Sequence, residues 1–194
     1  GDLLPNEDPN MELPDMVWRI ITPLVLMALS ITNTAEAYPL PVDFSGKLSR
    51  WNSAVSDQLT IRVHGGSDVS ELYSTIASDA AAKWSEVPTS SIQLAMTSVA
   101  TENILITFTR ELTNAPHSAG YTEFDLVDED TGELQHCSIT ILTTQALSDL
   151  ANTVLHELGH CLGLGHSLIP ESIMSYDLRA HDFRLDLDDV AAVT

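Results

Sequence analysis

Residues 156–166 read HELGHCLGLGH and place three histidines and a glutamate within eleven positions. The residues just before this stretch, 146–155, carry apolar side chains at the i, i+3 and i+4 spacing of a helix with one buried face. His156 and His160 are therefore predicted to lie one helical turn apart on the same face. Two imidazoles at that separation can bind one metal ion, and nitrogen ligands suit Zn²⁺ best without excluding other first-row metals.

Gly163 is predicted to end this helix, because glycine can adopt the left-handed conformation that turns the chain back. The turn would bring His166 to the ion as a third ligand. Three protein ligands leave one position for water, as in catalytic zinc sites. Glu157 is next to a ligand and is predicted to be the general base that takes a proton from that water. The alternative is a helix whose histidines are ordinary core or surface residues.

The motif and the segment 172–176, Ser-Ile-Met-Ser-Tyr, resemble the zinc signature and Met-turn of the metzincin metallopeptidases. Ser167, directly after the third predicted ligand, is similar to the matrixins, and the likeness extends over residues 51–194. Tyr176 stands where matrixins usually carry Pro. In astacins and serralysins a Tyr at this place binds zinc in the resting enzyme, so the chain combines marks of two subfamilies.

The resemblance implies an α+β fold: a twisted mixed five-stranded sheet with an antiparallel edge strand, an active-site helix, a Met-turn and a C-terminal helix. The hydrophobic pattern predicts strands at 59–64, 92–96, 104–108, 120–124 and 134–142 and helices at 69–84, 146–162 and 186–193. The resemblance places the edge strand at 118–124, SAGYTEF, where an extended peptide could add as a further strand.

The function that the resemblance implies is that of a zinc endopeptidase acting on proteins or peptides as a monomer. Met174 would form an apolar floor under the ligands. Tyr176 would bind zinc at rest and then donate a hydrogen bond to the developing oxyanion, or else be a core or pocket-wall aromatic. The alternative from another class is a zinc-bearing binding module that has lost turnover, and the presence of Glu157 favours the peptidase.

Residues 1–37 are predicted to be a leader containing a signal peptide at 16–37. A short positive start is followed by an apolar run, 20–31, and by Ala-Glu-Ala, which fits a small-x-small cleavage site. The protein is therefore expected to be secreted or extracytoplasmic, with no stable membrane association after cleavage.

The stretch 38–50 is predicted to be an N-terminal arm or a short pro-segment, and residues 51–194 the metallopeptidase domain. Two prolines and a glycine make the stretch read as an extended arm. Asp43 is a candidate to block the zinc as a carboxylate does in astacins, and a simple arm is the favoured alternative.

The chain is strongly acidic, with 28 acidic and 8 basic side chains and a net charge of −20. Without the leader, 22 acidic and 7 basic side chains remain, a net charge of −15. A field of this sign repels nucleic acid and anionic membranes, so neither is an expected partner.

Cys137 and Cys161 are the two cysteines of the chain. An even number in an exported protein predicts a disulfide, which would join the strand around Cys137 to the metal-binding helix. The alternative is two buried free thiols.

The acidic run 125–133 is a candidate Ca²⁺ site by resemblance, since matrixins often bind calcium. It lacks the ligand spacing of a calcium loop, so a solvated hairpin turn is the favoured interpretation. A second, structural zinc is not expected because no His-x-Asp pair occurs.

Overall fold

The computed structural model describes residues 50–52, 58–64, 71–113, 115, 118–128, 130–176 and 182–194. The predicted leader and signal peptide, nearly all of the arm, and Asp43 therefore lie outside the described residues. Within the described ranges, no helix combines the length and the apolar character needed to cross a membrane.

Six strands and three helices are found in the described part of the chain. They are β1 (Arg50–Trp51), β2 (Leu59–His64), α1 (Glu71–Ser85), β3 (Leu94–Met96), β4 (Ile104–Thr109), β5 (Gly120–Val127), β6 (Glu133–Leu142), α2 (Leu147–Cys161) and α3 (Leu187–Ala192). The domain thus mixes helices with a sheet, as expected.

The sheet is mostly parallel. Neighbouring strands follow the order β1-β6-β4-β2-β3 with parallel pairing throughout, and β5 pairs antiparallel with β6. The expected number of five strands was wrong, because Arg50 and Trp51 pair with Glu133 and Leu134 as a sixth. Two residues are too few to produce a hydrophobic alternation, so the pattern could not reveal β1.

One face of the sheet and two helices form the core. Alternate residues of a strand point to the same face, and three adjacent strands contribute fully buried side chains: Leu59, Ile61, Ile104, Ile106, Ile139 and Ile141. Helix α1 packs against β2, β3 and α2, and α2 packs against β5 and β6. Trp84 of α1 is fully buried and donates its indole N–H to the Leu155 carbonyl of α2 at 3.0 Å. This bond fixes the two helices against each other.

A disulfide joins Cys137 of β6 to Cys161, the last residue of α2, with the two Cα atoms 5.9 Å apart. Both side chains are fully buried. The bond ties a central strand to the end of the helix that carries the first two predicted ligands.

Candidate metal centre and cleft

Three imidazoles meet at the C-terminal end of α2. His156 and His160 lie on the same face of the helix, and their ring centroids are 4.6 Å apart. The ring of His166 lies 5.1 Å from that of His156 and 4.7 Å from that of His160. One nitrogen from each ring lies within 4.8 Å of the other two, close enough to meet at one ion. Sequence reasoning therefore chose three residues that the fold brings together.

The turn after α2 is what places His166. Gly163 has φ 96°, the left-handed conformation predicted for it. The N–H of Gly163 donates to the His160 carbonyl at 2.9 Å, and the N–H of Leu164 donates to the Gly159 carbonyl at 3.0 Å. These two bonds form a Schellman motif, which satisfies carbonyls at the helix end and reverses the chain.

Backbone carbonyls orient the first two rings. The Nδ1 of His156 lies 2.7 Å from the Ile173 carbonyl, and the Nδ1 of His160 lies 2.7 Å from the Leu164 carbonyl. A carbonyl only accepts, so each Nδ1 carries the hydrogen and each Nε2 is the nitrogen that can bind a metal.

The protonation of the rings also suits a metal. Burial lowers the pKa of His160 and of His166, which favours the neutral imidazole that binds metal ions. Three clustered imidazole nitrogens, two of them on half-buried rings that line an open cleft, fit zinc with one open position.

The Met-turn packs under the helix. Met174 is fully buried, and a Cβ added to Gly159 would lie 2.3 Å from its Sδ. Gly159 precedes the second ligand, so the thioether lies directly against the helical turn between the first two histidines. Only a residue without a side chain permits this approach.

Asp189 of α3 is a site residue that sequence reasoning missed. It is fully buried and accepts hydrogen bonds from the backbone N–H of Ile173 at 2.9 Å and of Met174 at 3.3 Å. The hydroxyl of Ser172 also donates to it. The sequence signal was the capping box that Asp189 forms with Asp186, but a cap gives no indication of a contact with the Met-turn.

Glu157 follows His156 on α2, is 6% exposed, and lines one cleft together with His160 and His166. Burial raises its pKa to about 7, and a hydrogen bond from the Thr122 hydroxyl opposes the rise. That hydroxyl lies 2.6 Å from Glu157 Oε2 and 3.1 Å from the Glu157 carbonyl. Sequence reasoning missed Thr122, because a threonine in a half-exposed strand carries no local mark of a contact with a helix.

A cleft of about 410 Å³ opens over Glu157. Strand β5 lines it with Gly120, Tyr121, Thr122 and Phe124, and the segment after α2 lines it with Leu164 and His166. The wall is aromatic and polar, and the metal-binding rings lie at its base.

Tyr176 lies beside the third ligand. Its ring stacks on that of His166 with centroids 4.3 Å apart and an interplanar angle of 21°. The side chain is 70% exposed, which excludes the alternative that it is a core aromatic.

The acidic run forms the turn between β5 and β6. Asp128 Oδ1 accepts from the N–H of Asp130 at 3.0 Å and of Thr131 at 2.8 Å, and Gly132 adopts φ 76°. This is the hairpin turn favoured from the sequence. Glu129 lies outside the described residues.

Comparison with known proteins agrees with the geometry. Residues 50–194 match the family model described as Matrixin. A stretch of 56 residues, 28% of this chain, is 41% identical to Metalloendoproteinase 2-MMP of Arabidopsis thaliana, of which it covers 15%. The chain therefore spans a small part of that relative. With the zinc signature, the Met-turn and a family match over most of its length, the chain belongs to the matrixin family of metzincin metallopeptidases.

Proposed function

We propose that this protein is a secreted zinc endopeptidase that hydrolyses peptide bonds of proteins, with Glu157 as the general base. The observation that carries the proposal is that Glu157, a buried carboxylic acid next to a cluster of three histidines, lines an open cleft together with His160 and His166. A structural zinc site has no need of a buried carboxyl that is not a ligand, whereas a hydrolytic site requires a base at that place.

Zinc held by His156, His160 and His166 would supply Lewis-acid chemistry, polarising the scissile carbonyl and making water acidic enough to be deprotonated near neutral pH. Glu157 accepts a proton from the attacking water and then delivers a proton to the leaving amine. Its pKa of about 7 suits both steps, since a group with a pKa near the working pH can accept and release a proton readily.

The strand that forms the cleft wall favours an extended peptide as the substrate. In the described residues β5 pairs with β6 alone, and four residues of β5 line the cleft. A substrate in extended conformation would add to the other edge of β5 through main-chain hydrogen bonds. This arrangement suits cleavage within unfolded or looped segments of proteins.

Tyr176 is the proposed oxyanion donor. Its ring stacks on that of His166, one of the residues that would hold the metal, and the side chain is largely exposed to solvent. The exposure of the side chain leaves room for the movement that this role requires.

We further propose that residues 16–37 are a signal peptide and that the protein acts outside the cell as a monomer. The arm at 38–50 is a candidate for a segment that holds the enzyme latent. The acidic surface disfavours nucleic acid and anionic membranes as partners.

The test is cleavage of a diverse peptide mixture, read by mass spectrometry. It uses the chain beginning at Tyr38 and the chain beginning at Arg50, which lacks the arm residues before β1, each loaded with zinc. Cuts by the active form should disappear after Glu157→Gln and after chelation of zinc. Glu171→Gln, which removes an exposed carboxylate from the loop after His166, is the matched control and should leave the cuts in place.

Three results discriminate the alternatives. Cuts by the shorter chain only would support a latent enzyme. The absence of cuts by both forms, with one zinc bound per chain, would favour the binding module. Persistence of the cuts in Glu157→Gln would disprove the role of Glu157.

A further inference from the structure

The hydroxyl of Thr122 contacts the proposed base directly across the interface between β5 and α2. It lies 2.6 Å from Glu157 Oε2, a short distance for a hydrogen bond to a carboxylate. The same oxygen lies 3.1 Å from the backbone carbonyl of Glu157. One side chain of the cleft wall thus touches the base at two points.

We propose that Thr122 is a positioning residue that holds the Glu157 carboxyl in place through the reaction, an inference that rests on the proposed peptidase function. A glutamate has three rotatable side-chain bonds, and a general base works only within hydrogen-bond reach of the proton that it takes. A fixed hydroxyl at the carboxyl end restricts that freedom.

The contact with Oε2 leaves the other carboxyl oxygen of Glu157 to take the proton from water. The Thr122 hydroxyl donates to Oε2 before the transfer and continues to donate there afterwards, while the proton lies on the other oxygen, from which it passes to the leaving amine. An apolar side chain of the same shape could not donate this hydrogen bond.

The close approach of β5 to α2 makes the contact possible. A Cβ on Gly120 would lie 2.9 Å from Thr153 Cγ2 and 3.2 Å from Glu157 Cγ, so a larger residue would push the strand off the helix. The Gln145 amide donates to the Ala119 carbonyl at 3.2 Å and anchors the start of the strand. Thr122 is therefore held against Glu157 by the backbone on both sides.

The experiment compares Thr122→Val, which keeps the shape, with Thr122→Ser, which keeps the hydroxyl. In the zinc-loaded full chain, Thr122→Val should lower kcat about 10- to 100-fold, the loss expected for a hydrogen bond to a charged group. Its KM should change by no more than about twofold, because the strand backbone is intact. Thr122→Ser should restore most of kcat. Thr122→Ala is a second hydroxyl-free variant in case the valine protein does not fold.

Thr143→Val is the matched control. Thr143 follows β6, and its half-buried hydroxyl donates to the Thr109 carbonyl at 3.0 Å. The substitution removes a threonine hydroxyl without touching Glu157 or the residues that line the cleft, so kcat should be retained. In addition, Thr122→Val should not slow a Glu157→Gln protein further, because the residue on which it acts is absent.

A readout independent of turnover separates this inference from the peptidase proposal. The carboxyl ¹³C NMR signal of Glu157, assigned by its loss in Glu157→Gln, should shift in Thr122→Val and stay in place in Thr122→Ser and Thr143→Val. If the wild type cleaves nothing, the peptidase proposal fails and this signal still reports whether the hydroxyl holds the carboxyl. An unshifted signal, or a Thr122→Val kcat within about twofold of wild type, would overturn the positioning role. A serine variant as slow as the valine variant would also overturn it.

Discussion

Asp189 accepts the backbone N–H of Ile173 at 2.9 Å, and the carbonyl of the same Ile173 lies 2.7 Å from Nδ1 of His156. A buried carboxylate in the C-terminal helix thus supports the first candidate metal ligand through one intervening residue, Ile173. Such outer contacts determine the direction and basicity of a ligating imidazole.

Asp189→Asn should destabilise the fold and weaken zinc binding. Oδ2 accepts from two N–H groups, those of Ile173 and Asp186, and Oδ1 accepts from Met174 and the Ser172 hydroxyl. In either orientation of the asparagine amide, its NH₂ group, which can only donate, would face N–H and O–H groups that also donate. We expect a loss of about 3 kcal/mol in the free energy of unfolding and about 10- to 100-fold in zinc affinity. Urea unfolding and competition with a chelator measure the two.

Asp188→Asn is the control for this substitution. Asp188 is half-buried and accepts from the Ser167 hydroxyl at 2.5 Å. Asp188→Asn should lower the free energy of unfolding by less than Asp189→Asn does, and it should leave the zinc affinity nearly unchanged. Equal effects of the two substitutions would show that the link through Ile173 is unimportant.

Gly159→Ala should lower the melting temperature, although alanine is the better helix former by about 1 kcal/mol. The added Cβ would lie 2.3 Å from Met174 Sδ and 2.9 Å from Trp84 Cζ2, and both side chains are fully buried. Overpacking of this kind costs about 1–3 kcal/mol or more. Thermal unfolding of the zinc-loaded protein is the measurement. Ser148→Ala, at an exposed position of the same helix, should cause no loss, and a more stable Gly159→Ala would refute the packing argument.

Replacing both Cys137 and Cys161 by alanine should lower the free energy of unfolding by about 3 kcal/mol. The bond closes a loop with a sequence separation of 24 residues, and losing it restores that freedom to the unfolded chain. Thiol titration checks the bond itself. The native protein and the denatured, unreduced protein should show no free thiol, and the denatured, reduced protein should show two. Free thiols before reduction would contradict the disulfide.

The ion pair between Arg62 and Glu102 should make part of the stability depend on pH. The Glu102 side chain is 6% exposed, and the hydrogen bond from Arg62 holds its pKa below the ordinary value of 4.5. Because the folded pKa is lowered, the contribution is complete above 4.5 and is lost as the pH falls through the folded value. The gap in urea midpoint between wild type and Glu102→Gln should therefore be widest at neutral pH and close in acid. Glu111→Gln, at an exposed site, should show no such gap, and a gap for Glu102→Gln that does not narrow as the pH is lowered below 4.5 would disprove the linkage.

If the hydroxyl stabilises the oxyanion, Tyr176→Phe should lower kcat about 10- to 100-fold. This loss equals, or is somewhat smaller than, the loss typical of removing one hydrogen-bond donor to an oxyanion. KM should change little, since the ring that stacks on His166 is kept. Tyr121→Phe, in the cleft wall on β5, is the control for loss of a phenol hydroxyl near the substrate. Full turnover by Tyr176→Phe would rule out the oxyanion role and leave a pocket-wall aromatic.

The parts of the site that were predictable depend on short-range periodicity. His156 and His160 lie on one face because of the helical repeat. Gly163 has a positive φ because a helix commonly ends at a residue in the left-handed conformation, which glycine adopts readily. The core strands were predictable because their alternation of buried residues is local. Leu72 and Ile76 of α1 have the i, i+4 spacing of one apolar helix face, yet Leu72 is 46% exposed and Ile76 is buried, because the packed neighbours decide which part of that face is covered.

By itself the sequence indicated the family, the mixture of helices with a sheet, and the three histidines that the fold brings together, because the zinc signature and the hydrophobic periodicity are local patterns. The role of Glu157 as the base remains a prediction from that signature. Only the tertiary structure decided that Thr122 contacts Glu157 and that Asp189 supports Ile173, across 35 and 16 positions of the chain. It also decided that β1 joins the sheet and that Tyr176 stacks on His166 in solvent. Contacts of this kind depend on how strands and helices pack, and packing is a property of the whole folded chain that no local pattern of residues encodes.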